Sequence, residues 1–96
     1  MTITKLNIST TTEFEKNLKK IKKQNKNIKK LLSVVNKIAN HETLDEKYRD
    51  HLLVGYKIPG CRECHIEPDW LLVYRIYKNE LLLLLVATGS HSNLFK

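Results

Sequence analysis

CRECHIEPDWLLVYRIYKNELLLLLVA, residues 61–87, decides how this chain folds. It holds three apolar runs, Cys61 to Glu67, Trp70 to Tyr77 and Leu81 to Ala87, divided by Pro68-Asp69 and Lys78-Asn79. Those dividers are turn signals, and runs this short and this closely spaced predict consecutive strands of an antiparallel meander. The last run is apolar at every position, which places it inside the sheet and buried on both faces or nearly so. Alternation then sorts the side chains. Cys64 and Ile66 go to one face with Leu72, Tyr74 and Ile76; Glu63 and His65 go to the other with Leu71, Val73, Arg75 and Tyr77.

The first five letters also spell C-x-x-C-H, the string that attaches a c-type haem. The run into Pro68 and a strand argues against haem. Structural zinc fares little better, because Cys61 and Cys64 point to opposite faces of a regular strand and no second C-x-x-C exists. Cys64 reads as a small core residue and Cys61 as a thiol near the strand start.

Upstream, Leu52-Leu53-Val54 predicts one more strand, closed by Gly55. Phe14, Leu18 and Ile21 recur at helical spacing and predict a first helix near residues 11–24. Thr10 with Glu13 has the spacing of a capping box at its start. Asn25-Lys26-Asn27 breaks it, and Ile28, Leu31, Leu32, Val35, Ile38 and Ala39 predict a second helix over roughly 27–40. Thr2 to Ile8 alternates weakly and predicts a short first strand. The order is β-α-α-β-β-β-β, an α+β fold in which a helical hairpin covers one sheet face. No linker or repeat divides the 96 residues, so one domain over 1–96 is expected.

A composition of 42% hydrophobic residues is ordinary for a globular chain, and the net charge of +7 favours an anionic partner. Lys16, Lys19, Lys20, Lys22, Lys23, Lys26, Lys29 and Lys30 concentrate that charge on the helices. Such a run is either a solvated face or an electrostatic footprint for phosphates. The N-terminus shows no signal-peptide pattern and no apolar run spans a bilayer. A cytoplasmic protein with reduced cysteines is expected.

Four segments carry a resemblance: Tyr48-Arg49-Asp50-His51, the run from Arg62 to Leu72 (RECHIEPDWLL), Tyr74, and Thr88-Gly89-Ser90-His91-Ser92-Asn93-Leu94-Phe95. Together they resemble the YafQ family of bacterial toxins, in the RelE/ParE superfamily, from the first strand to the last residue. The resemblance implies a RelE-like curved, mainly antiparallel sheet with two helices on one side. It implies a ribosome-dependent mRNA endoribonuclease that needs no cofactor or metal and inhibits translation. It also implies a DinJ-like antitoxin, with a toxin–antitoxin heterotetramer built through an antitoxin dimer. The family's functional residues fall by matching position on His51, His65, Asp69, Trp70, His91 and Phe95.

Metal-free RNA cleavage uses the 2′-hydroxyl as nucleophile, and needs a base, an acid and positive charge on the phosphate. Asp69 or His65 is the expected base and His91 the expected acid, with His51 orienting or binding phosphate. Phe95 and Trp70 are expected to touch substrate. One position departs from the family, which usually has an arginine two residues before the glycine of its G-[ST]-H string. Here that position is Ala87. The chain is then a weak or attenuated toxin, or another cation, Arg62 or Arg75, binds the phosphate instead. The bland readings are surface histidines, a core Trp70, a turn-forming Asp69, a Phe95 that pins the C-terminus, and arginines paired across strands to Glu63 or Glu67. The rival functions are a non-catalytic gyrase inhibitor of the ParE kind and a basic nucleic-acid-binding module.

Overall fold

A computed structural model describes residues 4–95. Its strands are β1 (Asn7–Thr10), β2 (His51–Leu52), β3 (Arg62–Glu67), β4 (Trp70–Tyr77) and β5 (Leu82–Gly89). Its helices are α1 (Thr12–Lys23), α2 (Ile28–Ala39) and α3 (His91–Leu94), with 3₁₀ turns at Glu46–Tyr48 and Lys78–Glu80. The five strands form one sheet in the order β1-β5-β4-β3-β2. β2 to β5 are antiparallel as the punctuation predicts, while β1 runs parallel to β5. The all-apolar strand therefore lies between β1 and β4, inside the sheet.

The helical hairpin forms where periodicity puts it. Thr11, one residue later than the predicted cap, accepts from the Phe14 amide at 3.0 Å, and its hydroxyl donates to the Val86 carbonyl at 2.7 Å. With Phe14 at the third helical position there is no capping box; Thr10 ends β1 and its hydroxyl donates to Glu15. Glu13 and Glu15 in the first turn of α1 and Lys20, Lys22 and Lys23 in the last both complement the helix dipole. Asn27 caps α2 through the Lys29 amide. Leu31, Val34, Val35 and Ile38 of α2 pack with Phe14 and Ile21 of α1 against Cys64, Leu72, Tyr74, Leu83 and Leu85.

Two strands differ from the reading for identifiable reasons. β1 begins only at Asn7, opposite Leu82, because the Leu6 amide is taken by the Ala39 carbonyl at the end of α2. The part of the expected strand at residues 2–3 lies outside the described residues. β2 stops at Leu52, since Gly55 in a left-handed turn (φ 77°) swings the chain over the sheet.

That swing covers part of the outer sheet face, which alternation alone leaves open. Leu53, Tyr56 and Ile58 from the 53–60 loop and Leu94 and Phe95 from the C-terminus pack on Cys61, Val73, Val86 and Ala87. A bulge in β5 makes this second cluster possible. Val73 pairs with Ala87 but Tyr74 pairs with Leu85, so Val86 is an extra residue and Val86 and Ala87 both face outward. A bulge in β3 likewise leaves Ile66 as an extra residue between His65 and Glu67. Cys61 and Cys64 do point to opposite faces, and both are fully buried. Burial raises both thiols, Cys64 to about 12.

Candidate active site

The outer-face residues near the β3–β4 turn come together in a line. Strand register puts His51 beside Glu63 and His65 beside Leu71. Glu63 is 6% exposed, and its Oε1 faces His51 Nε2 at 3.5 Å and His65 Nε2 at 3.9 Å. Each imidazole turns its other nitrogen to a backbone carbonyl: His51 Nδ1 to Arg49 at 2.8 Å, His65 Nδ1 to Pro68 at 3.3 Å. A carbonyl only accepts, so these contacts need hydrogen on Nδ1, and Nε2, the nitrogen left to exchange a proton, bonds the Glu63 carboxylate only while it is protonated. The turn residue after Pro68 is Asp69, whose Oδ1 accepts from the His91 amide at 3.3 Å.

His91 opens the one-turn helix α3, capped by Ser90 accepting from the Asn93 amide. Its ring packs on Phe95 at 5.1 Å between centroids, and Phe95 meets Tyr56 edge-on at 6.0 Å. His51, Asp69 and His91 are exposed, and the His65 side chain is partly so. Three imidazoles and a carboxylate, distant in the chain, thus share one open patch on the side away from the hairpin. His41 stands apart, its Nε2 on the Thr4 carbonyl.

Three residues expected to bind substrate sit elsewhere. Trp70 is 1% exposed in the main core, and its Nε1 donates to Thr88 Oγ1 at 2.9 Å. Its parity in β4 is that of Leu72 and Tyr74, which puts the indole under the hairpin, out of reach of a nucleotide. The Thr88 hydroxyl in turn donates to the Leu71 carbonyl and the Thr88 amide donates to Asn17 Oδ1, so the buried indole braces the strand end that leads into His91. Arg62 has the parity of Cys64 and lies on the hairpin side. It gives Asp50 Oδ2 two bonds, from Nε at 3.2 Å and Nη2 at 3.0 Å, and pairs with neither Glu63 nor Glu67. Arg75 is on the outer face but four residues from Leu71, about 13 Å along the strand. Its guanidinium lies 4.3 Å over the Tyr77 ring and against Gly60, whose left-handed φ of 79° and missing side chain admit it.

Alternation puts Glu63 on the face of His65, and the lysine run includes Lys29 and Lys30, but only the structure brings those cations, with Lys47 and Arg49, beside His65. Because β2 is short, the end of β3 is an open edge, and a cleft runs from it to α2. Lys29, Lys30, Lys47, Arg49, His65 and Glu67 line it. Glu67 pairs with Lys30 at 2.8 Å and Lys26 at 3.9 Å, and the hydrogen bond from Lys30 holds its carboxyl below the usual range. Ala87 is fully buried in the outer cluster, in the same cross-strand row as His51, Glu63 and Val73.

Comparison with known proteins agrees with this geometry. A family model described as a bacterial toxin of a type II toxin–antitoxin system, YafQ, matches residues 6–96. The mRNA interferase toxin YafQ of Escherichia coli K12 is 34% identical over 84 residues, covering 86% of this chain and 88% of the relative. A metal-bound toxin from Helicobacter pylori superposes with a TM-score of 0.88 at 47% identity, covering 94% of this chain and 99% of that one. The Escherichia coli DinJ–YafQ toxin–antitoxin complex matches with a TM-score of 0.86 at 33% identity, over 98% of this chain and 100% of that one. Among the described residues, no group of three or more His, Cys, Asp or Glu side chains is placed to hold a metal ion.

Proposed function

This chain belongs to the YafQ family of bacterial type II toxins, and on that premise we propose that it is a ribosome-dependent mRNA endoribonuclease that inhibits translation. We read it as one cytoplasmic domain over residues 1–96; no helix among the described residues is long and apolar enough to cross a membrane. The observation that carries the reading is the line from His51 through Glu63 and His65 to Asp69 and His91 on an open face.

The reaction needs only groups on this patch. His65 or Asp69 removes the 2′-hydroxyl proton, and that oxygen bonds to the adjacent phosphorus. The bond from phosphorus to the 5′-oxygen breaks, and His91 gives the leaving oxygen a proton. The products are a 2′,3′-cyclic phosphate and a 5′-hydroxyl. Proton transfer by positioned groups is worth about 10²–10⁴ in rate. His51 orients the phosphate, and Phe95, packed beside His91, offers an aromatic face to a base. His51, Asp69 and His91 lie exposed at the surface, which suits an enzyme whose substrate is already positioned by a ribosome.

Charge on the phosphate is where this chain departs from its family. Arg62 is held by Asp50 and Arg75 lies far along the strand, so the cleft cations Lys29, Lys47 and Arg49 beside His65 are better placed. They are long, solvated side chains and replace a fixed arginine imperfectly. We therefore read Ala87 as attenuating. The basic surface also suits a DinJ-like antitoxin with an acidic, extended segment, the complex doubling to a heterotetramer through an antitoxin dimer.

Primer extension on mRNA with translating ribosomes tests the activity. Codon-positioned breaks are expected, stronger with Ala87→Arg. Absence of breaks with both proteins refutes the nuclease reading and leaves the gyrase inhibitor or a nucleic-acid-binding module.

A further inference from the structure

We propose that Asp50, gripped by Arg62 and Tyr74 on the hairpin side of the sheet, is the positioning residue that fixes the His51 imidazole on the opposite side. The proposal deepens the nuclease reading and relies on it only for the effect on cleavage.

Between Tyr48, which packs on the main core, and Leu53, which packs on the outer cluster, the segment carrying His51 has little else to hold it. β2 is two residues long, lies at the sheet edge and makes two register pairs with β3. A strand that short does not fix its own register. Of its apolar neighbours, Leu52 is 54% and Val54 87% exposed; Leu53, two residues on, ties the chain to the outer cluster but leaves the start of the strand unheld. Just before it, Arg49 holds a left-handed backbone (φ 50°), an unfavourable conformation for a residue with a side chain. Something must keep the chain in place.

Asp50 supplies that hold. Its Oδ2 accepts from Arg62 Nε at 3.2 Å and Nη2 at 3.0 Å, and its Oδ1 accepts from the Tyr74 hydroxyl. Arg62 and Tyr74 are direct cross-strand partners, and Tyr74 is 3% exposed in the main core. The anchor is thus bolted to β3 and β4, the rigid middle of the sheet. Because successive side chains point oppositely, a carboxylate fixed on the hairpin side forces His51 to the outer side. The same clamp places the Arg49 carbonyl that takes His51 Nδ1 at 2.8 Å, leaving Nε2 toward Glu63 at 3.5 Å. Asp50 sets both where the imidazole stands and which nitrogen carries hydrogen. The charged fork matters here, since an amide at position 50 offers one acceptor where the carboxylate offers two.

The test uses the full chain, ¹⁵N-labelled, as wild type, Asp50→Asn and Tyr74→Phe. Long-range ¹H–¹⁵N spectra of the imidazoles, taken at a pH where they are neutral, report which nitrogen bears hydrogen. The wild type is expected to show His51 as the Nδ1–H form. In Asp50→Asn the two His51 nitrogen shifts are expected to average while those of His65 and His91 stay put; Tyr74→Phe is expected to show a smaller change of the same kind. Single-turnover cleavage on programmed ribosomes is expected to fall about 10–100-fold in Asp50→Asn, with ribosome affinity within about twofold of wild type. If Asp50→Asn fails to fold, Tyr74→Phe decides. A His51 signal unchanged in the folded variants overturns the proposal, and so does equal disturbance of all three imidazoles. A wild type that cleaves nothing refutes the nuclease reading instead, while the spectra still judge the clamp.

Discussion

Replacing Trp70 with phenylalanine separates a core indole from a substrate-binding one. The side chain is 1% exposed and packs with Leu31, Cys64, Leu72 and the rest of the main core. Trp70→Phe removes the bond from Nε1 to Thr88 Oγ1, worth about 1 kcal/mol net. It also leaves a void where half the indole was; complete truncation of a buried Trp costs about 3–5 kcal/mol, so a partial one costs roughly 1–2. The total, about 2–3 kcal/mol, lowers the melting temperature of a chain of 96 residues by roughly 10–20 °C. Thr88 stays tied to the Leu71 carbonyl and to Asn17, so the His91 turn keeps its place. Urea denaturation gives the stability, and single-turnover cleavage, normalised to the folded fraction, gives the activity. Stability should fall by the stated amount, with cleavage per folded molecule within about threefold of wild type. Stability within about 0.5 kcal/mol of wild type together with a tenfold or greater loss of cleavage would mean that the indole meets the RNA.

Other outcomes follow from the same structure. Cys64 is fully buried and its thiol is pushed up to about 12, so the native state keeps a proton that the unfolded chain releases from about pH 9. The stabilising contribution is whole below that pH and should fall by about 1.4 kcal/mol per unit as pH rises toward 12. Urea midpoints should show the slope flattened in Cys64→Ala; an unchanged slope would deny the burial. Ala87→Arg should raise both cleavage and toxicity, since the new guanidinium can reach toward Glu63, about 10 Å across two strand spacings in its row. It must also part the outer cluster over Ala87, so a lower urea midpoint should accompany the gain; cleavage unchanged per folded molecule counts against a phosphate role there. Raising salt from about 50 to 200 mM should weaken ribosome attachment at least tenfold if the exposed lysines of α1 and α2 meet phosphates, and a flat titration would leave them a solvated face.

Much of this was legible because local rules did not compete. The punctuation at Pro68-Asp69 and Lys78-Asn79 fixed β3, β4 and β5, and alternation assigned Cys64, Ile66, Leu72 and Tyr74 to the hairpin side correctly. The same alternation places Trp70 and Arg62 under the hairpin. The resemblance puts Trp70 at the substrate, and the missing arginine at position 87 suggests Arg62 as a replacement cation; parity argues against both. The β5 bulge was not legible, since an unbroken apolar run has no alternation to interrupt. Nor was the cover made by Tyr56 and Ile58, which lie in a loop with no period. Thr11 displaced Thr10 as the cap because Thr10 is held by the sheet, a long-range contact that adjacent threonines cannot advertise. His51, His65, Asp69 and His91 were read from motifs, and their convergence depends on turns and register. Glu63 between two imidazoles emerged only when β2 and β3 were paired.

The most direct measurement is a double-mutant cycle in single-turnover cleavage on programmed ribosomes, using His65→Ala, His91→Ala and the pair. Groups that serve one transition state are not additive, so the double variant should be about as slow as the slower single one. Two losses that simply multiply, or cleavage near the wild-type rate in either single variant, would mean that these imidazoles do not work as one site.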